Sequence, residues 1–171
     1  TRSWDSSIDY SDEGNKHFYD WIDPSRIAER QKEQINLLVA LLNSKIIGMI
    51  EIRDNKNISL LFVDKQYQGQ GIAKRLFHES LKLCVQRDST LDTFYVHASP
   101  FSIRIYKKIG FNETDSLQEN HGIKYLPMEL KINELTSTLH KLLDWTHFVR
   151  FGILQILQTK FKSACPDTSG G

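Results

Sequence analysis

The segment Gln66-Tyr67-Gln68-Gly69-Gln70-Gly71-Ile72-Ala73 lies between an apolar strand-like run, Ile58 to Val63, and an amphipathic helix-like run, Lys74 to Arg87. A glycine-rich turn from strand to helix aims several backbone N–H groups at one spot, at the positive end of the helix dipole. That is a ready-made phosphate site. Glycine is needed there because a side chain would hold a phosphate away from the backbone.

The surrounding chain reads as a mixed α+β domain. Ser11-Asp12-Glu13 opens a helix, with Phe18, Trp21 and Ile22 at helical spacing. Asp23-Pro24-Ser25 restarts a second short helix to about Gln31, since proline is tolerated in a first turn. Ile35 to Leu42 and Lys45 to Arg53 read as a hairpin around Asn43-Ser44, and Ile58 to Val63 as a third strand. Beyond the glycine turn and its helix, Leu91 to Ala98 reads as a buried strand that Pro100 ends. Ile103 to Lys108 makes a short helix closed by Gly110. Phe111 to Thr114 and Gly122 to Ile132 complete the sheet across a polar link, and Pro127 points to an edge or a bulge.

Composition narrows the class. A chain of 171 residues, 40% hydrophobic, suffices for one domain with a sizeable core. A net charge of +1 and no basic run longer than Lys107-Lys108 give no reason to expect nucleic acid. Cys84 and Cys165 lack metal-ligand spacing, and Cys84 reads as a reduced core residue, as in the cytoplasm. His17, His78, His121, His140 and His147 lack ligand spacing too, so no metal is expected. No signal peptide is expected from the opening residues, and the longest apolar stretch, Phe148 to Leu157, is too short and interrupted to span a membrane. The expected location is cytoplasmic.

From Tyr10 to Ile132 the ordered features resemble a GNAT-family N-acetyltransferase. They are Ile47-Gly48 in the hairpin, Ser59-Leu60-Leu61-Phe62-Val63-Asp64, the glycine turn, Ala98-Ser99-Pro100, Tyr106-Lys107-Lys108-Ile109-Gly110-Phe111, and Tyr125-Leu126-Pro127-Met128-Glu129. The resemblance implies the GNAT fold, a mostly antiparallel mixed sheet flanked by helices, and acetyl-CoA as acetyl donor. The family's Gln/Arg-x-x-Gly-x-Gly/Ala signature fits in two registers. One is Gln66, Gly69 and Gly71; the preferred one is Gln68, Gly71 and Ala73, which keeps the usual distance from Val63. By resemblance, Gln68, Gly69, Gln70, Gly71, Ile72, Ala73 and Lys74 hold the pyrophosphate of coenzyme A. Leu61, Phe62 and Val63 bond the pantetheine arm, where the third strand splays from the next, and Ser99 and Tyr106 complete the cofactor site.

Acetyl transfer to an amine needs a neutral amine, a polarised thioester and a proton or hydrogen bond for the leaving thiolate. Tyr106 matches the family's general-acid tyrosine. Where some relatives carry a basic glutamate, the count back from Val63 reaches Asn57, which cannot act as a base. Glu51 is the nearest carboxylate, either a base or water relay or a residue of an exposed face. His97 stands where many relatives carry asparagine; it reads as a base, a donor to the pantetheine, or a structural histidine.

Both ends depart from the family. Only Thr1 to Ile8 precede the matching region, so the first strand and most of the first helix are expected to be absent, leaving a sheet edge and a face bare. Beyond residues 1–133, the segment 134–162 is apolar, with Leu135, Leu139, Leu142, Leu143, Phe148, Phe151, Leu154 and Leu157 at spacings of three and four. That pattern predicts a helix from about Thr138 to Lys160, either continuous or broken near Gly152. It would cover the bare surface in its own chain or in a second copy, making a homodimer through this segment or the exposed edge. Residues 163–171 have the composition of a flexible tail. The expected function is transfer of acetyl directly to a primary amine of a small molecule or exposed peptide. The alternative is a catalytically silent protein that binds coenzyme A or only a protein partner.

Overall fold

The computed structural model describes residues 10–31, 36–132 and 155–158. Two helices, α1 (Asp12–Trp21) and α2 (Pro24–Gln31), precede a three-stranded antiparallel meander, β1 (Asn36–Leu42), β2 (Lys45–Arg53) and β3 (Asn57–Val63). The β1–β2 turn is Asn43-Ser44, both at positive φ, as a tight hairpin turn requires. A single 3-10 turn, Lys65–Tyr67, then leads into α3 (Ile72–Arg87). The chain crosses over to β4 (Thr93–Ala98), which runs parallel to β3, and continues through α4 (Ile103–Ile109). β5 (Asn112–Glu113), β6 (Gln118–Asn120), β7 (Ile123–Lys131) and β8 (Gln155–Gln158) follow. The sheet order is β5-β7-β4-β3-β2-β1-β8, with β6 paired to β7, and every pairing except β3–β4 is antiparallel. The mixed, mostly antiparallel α+β sheet expected from the sequence is the one observed.

The core lies between the sheet and α3. Ile72, Leu76, Phe77, Leu81 and Cys84 recur at helical spacing on one face of α3 and are buried with Ile50, Ile52, Phe94, Val96 and Met128. Phe77 meets both Phe94 and Phe111 edge-on at 5.5 Å. Cys84 is fully buried and in no disulfide, the core role read from the sequence; Cys165 lies outside the described residues.

Four expectations need correction. The face opposite α3 is not bare. The ring of Phe18 on α1 meets Phe62 of β3 at 6.4 Å, and Arg30 on α2 reaches Glu51 of β2. α1 is a ten-residue helix capped by Ser11, whose hydroxyl accepts from Gly14 N–H. Second, the helix expected over 138–160 is contradicted at 155–158, which is strand β8; 138–154, 159 and 160 lie outside the described residues. β8 pairs with β1 from Leu38↔Gln158 to Leu41↔Gln155. An open strand edge offers a row of backbone groups, and that long-range demand outweighs local spacing.

Third, the polar link between the last two expected strands contains β6. It forms a hairpin with β7 around His121-Gly122, at φ 50° and 71°. Its residues are largely exposed, so no apolar alternation announced it. Fourth, Pro127 is in neither an edge strand nor a bulge, because β7 lies between β4 on one side and β5 and β6 on the other. The outer ladder breaks between β5 and β6, and the Pro127 carbonyl accepts from Thr114 N–H beside that break. The N–H that proline lacks is therefore not missed.

Candidate active site

The parallel β3–β4 pairing lasts for two residues only, Asn57↔Tyr95 and Ile58↔Val96. Beyond Ile58 the strands part, while β3 stays bonded to β2 through Val63. The Asp64 N–H to Ile47 C=O bond, 2.8 Å, marks those residues as a hydrogen-bonded pair. Alternation along an antiparallel ladder makes Phe62↔Met49 the next such pair, so backbone groups of Leu61 and Val63 point toward the gap. Of the three residues assigned to the arm, Leu61 and Val63 thus offer backbone groups. Phe62 spends its own on β2 and turns its ring to Phe18.

At the end of β3 the chain is pinned before it enters the glycine turn. Asp64 accepts from Gln66 N–H at 3.1 Å and pairs with Lys45 Nζ at 3.1 Å. The Gln68 side chain donates to the Val63 carbonyl at 3.1 Å. Gly69 and Gly71 have φ of 76° and 79°, a region that costs other residues about 1–2 kcal/mol. A Cβ at either glycine would meet no atom within 4 Å, so the space over this backbone is open. Gly71 is the N-cap of α3 and provides no side-chain cap. The first turn of α3 carries Lys74 and Arg75 and no carboxylate, a charge pattern that favours an anion at its N-terminus.

An open cleft of about 320 Å³ runs from the β3–β4 gap to α1 and the β6–β7 hairpin. Tyr106 on α4 lines it and is otherwise buried; desolvation pushes its hydroxyl pKa well above the usual 10. His97 lines it from the face of β4 opposite the core, stacked on Tyr125 of β7 at 4.3 Å. Partial burial, and then the charge of Arg53, lower its pKa, so the imidazole is neutral at pH 7. Ser99 and Ser102 share a hydrogen bond of 3.0 Å at the start of α4 and also line the cleft.

The opposite wall is Tyr10, His17, Phe18 and Trp21, from α1 and the residue before its cap. α1 is held there by a very close approach to the β6–β7 turn. Ser11 N–H donates to the Gly122 carbonyl at 3.2 Å, and a Cβ on Gly14 would overlap that same carbonyl. His17 stacks with His121 across this junction at 5.4 Å. Trp21 is oriented from behind, since Arg30 donates to its carbonyl at 2.9 Å and lies 4.0 Å from its ring centroid.

A family model described as an acetyltransferase (GNAT) domain matches residues 6–132, well over half of the chain. The chain belongs to the GNAT acetyltransferase family. Solved structures agree on the GNAT fold. A GCN5-related N-acetyltransferase from Rhodopseudomonas palustris aligns with a TM-score of 0.61 at 21% identity, over 72% of this chain and 78% of its own. The PaiA N-acetyltransferase of Thermoplasma acidophilum, solved with coenzyme A, aligns at 0.56 and 21%, over 71% and 80%. An aminoglycoside 6'-N-acetyltransferase, also with coenzyme A, aligns at 0.53 and 13%, over 72% and 89%. No curated protein matches the chain by sequence.

Within this GNAT fold the structure brings Leu61, Phe62, His97, Ser99 and Tyr106 to one cleft. Gln68 to Lys74 lie at the neighbouring N-terminus of α3. Glu51 is not with them. It is fully buried, and Arg30 takes both carboxylate oxygens, Nε to Oε1 at 3.0 Å and Nη2 to Oε2 at 3.1 Å. It is therefore neither an accessible base nor part of an exposed face, because it is fully buried, does not line the cleft and is held in a bidentate pair. Among the described residues no group of three or more His, Cys, Asp or Glu is placed to hold a metal. No helix there is long and apolar enough to cross a membrane.

Sequence reasoning missed the α1 wall, Asn120, His121 and Tyr125 as cleft residues. Phe18 and Trp21 had declared only their helical spacing. The one further signal was Gly14 facing Gly122, a contact across more than a hundred residues that a single sequence does not advertise.

Proposed function

We propose that this GNAT protein is an acetyl-CoA-dependent N-acetyltransferase that moves acetyl directly onto a primary amine in the cleft beside Tyr106. The observation that carries this reading is the junction of two features. A strand pair parts after two residues, and the opened gap leads from an uncapped, glycine-led helix N-terminus into a cleft lined by Tyr106 and His97. The open space over Gly69 and Gly71, and Lys74 and Arg75 in the first turn, suit a pyrophosphate. Gly71 directly before the helix, with Ala73 one residue inside it, supports the register Gln68-x-x-Gly71-x-Ala73. The coenzyme A in two of the aligned structures supports the same donor.

Acetyl-CoA supplies an activated thioester: the amine nitrogen bonds to the acetyl carbon, the C–S bond breaks, and its electron pair leaves on sulfur. Leu61 and Val63 orient the donor's arm through their gap-facing backbone groups. Tyr106 remains protonated at any physiological pH because burial disfavours its phenolate. Full proton transfer to a thiolate with a pKa of about 8.5 is uphill from so weak an acid, so the Tyr106 hydroxyl acts chiefly by donating a hydrogen bond. Neutral His97 takes the proton shed by the amine nitrogen and passes it to solvent, to which it is exposed. The β8–β1 pairing supports a C-terminal segment that serves its own chain.

Addition of acetyl-CoA should raise the melting temperature, and thiol release should depend on an added amine. Tyr106→Phe is expected to lower kcat by roughly a hundred- to a thousand-fold, the range for removing one hydrogen-bond donor to charge that develops in the transition state. An unchanged kcat would remove Tyr106 from the mechanism. Stabilisation without thiol release for any amine would favour a silent binder of coenzyme A.

A further inference from the structure

The cleft has an electrostatic character that the family does not dictate. Its lining among the described residues contains Tyr10, Phe18, Trp21, Phe62 and Tyr125 but no carboxylate and no Lys or Arg. The nearest buried acid, Glu51, is neutralised by Arg30. Behind the wall, Arg53 Nε donates to Ser59, itself a lining residue, at 2.6 Å, and meets no carboxylate among the described residues. Its charge is felt in the cleft, where it helps depress the His97 pKa.

We propose that the acceptor enters this cleft as an uncharged amine on a flat, largely apolar body, an arylamine rather than a polyamine or an amino sugar. This rests on the transferase reading above. An alkylammonium would shed hydration here without gaining a counter-ion, and Arg53 would repel it. Aromatic rings can in principle hold a cation, but Trp21, the strongest such ring, already serves Arg30 at 4.0 Å and Arg53 at 5.0 Å. An arylamine is neutral at pH 7, so its nitrogen needs no deprotonation before attack. That removes the task for which Glu51 was sought.

The test uses the full chain with acetyl-CoA and measures thiol release with aniline, a 4-alkylaniline, spermidine and kanamycin. The expected result is kcat/KM at least ten-fold higher for the anilines at pH 7, and flat from pH 7 to 9. Asn120→Asp, which adds a carboxylate at the exposed rim, should raise the spermidine-to-aniline ratio of kcat/KM. Equal or faster turnover of spermidine or kanamycin by the unmodified chain would overturn the acceptor class and leave the transferase standing. Stabilisation by acetyl-CoA with no thiol release from any of the four would overturn the transferase reading, and this one with it.

Discussion

At the scale of single residues, the cleft divides into groups set by their own chemistry and groups set by their neighbours. Tyr106 was readable because it precedes Gly110-Phe111 at a recognisable spacing, and the fold puts it at the cleft. Glu51 was misread because a carboxylate on a strand does not announce its partner. Arg30, on a helix closed well before that strand begins, decides that Glu51 is a structural ion. His97 shows the same dependence, since its pKa is lowered by burial and by Arg53. A histidine that must be neutral to accept a proton loses activity as pH falls through its pKa, and that pKa lies below the usual 6.5. The rate is therefore expected to hold from pH 8 down to about 6.5 and to fall only below it. In His97→Asn the acid limb should vanish along with most of the turnover. A pH–rate profile checks this, and an acid limb retained by the variant would assign it elsewhere.

At the scale of elements, the glycine turn and α3 carry the clearest prediction. Gly71 has a φ of 79° but touches nothing, so alanine there meets strain without collision. Gly71→Ala should lower folding stability by only about 1–2 kcal/mol. Its affinity for coenzyme A should fall by more than ten-fold, because the added methyl occupies the space left for phosphate. Denaturant melts without ligand and a coenzyme A titration separate the two effects. Unaltered affinity would mean that the turn is only a tight connection. Most elements were legible because strands and helices this amphipathic declare their period. β6 was not, being short, polar and held only by its pairing with β7.

At the scale of the whole molecule, the sheet is extended beyond β1 by a strand drawn from much later in the chain. β8 covers the edge of β1 from Leu38 to Leu41. A chain truncated after Asn133 should expose that edge and associate, which light scattering would report. A soluble, folded monomer with an unchanged melting temperature would show β8 to be dispensable. The resemblance behind the proposed donor site was written in local runs, Ser59 to Asp64, Gln68 to Ala73 and Tyr106 to Phe111, because a strand, a glycine turn and a helix are each specified by adjacent residues. The rest of the cleft was not local. Its walls are α1, the β6–β7 hairpin and the ends of β3 and β4, held together by Ser11, Gly14 and Gly122 and charged from behind by Arg53. By itself the sequence determined the family, the order of most elements and the glycine turn before α3. Only the tertiary structure decided which face α1 covers, what Glu51 is for and that the described cleft lining contains no carboxylate, Lys or Arg, because those depend on contacts between residues far apart in the chain.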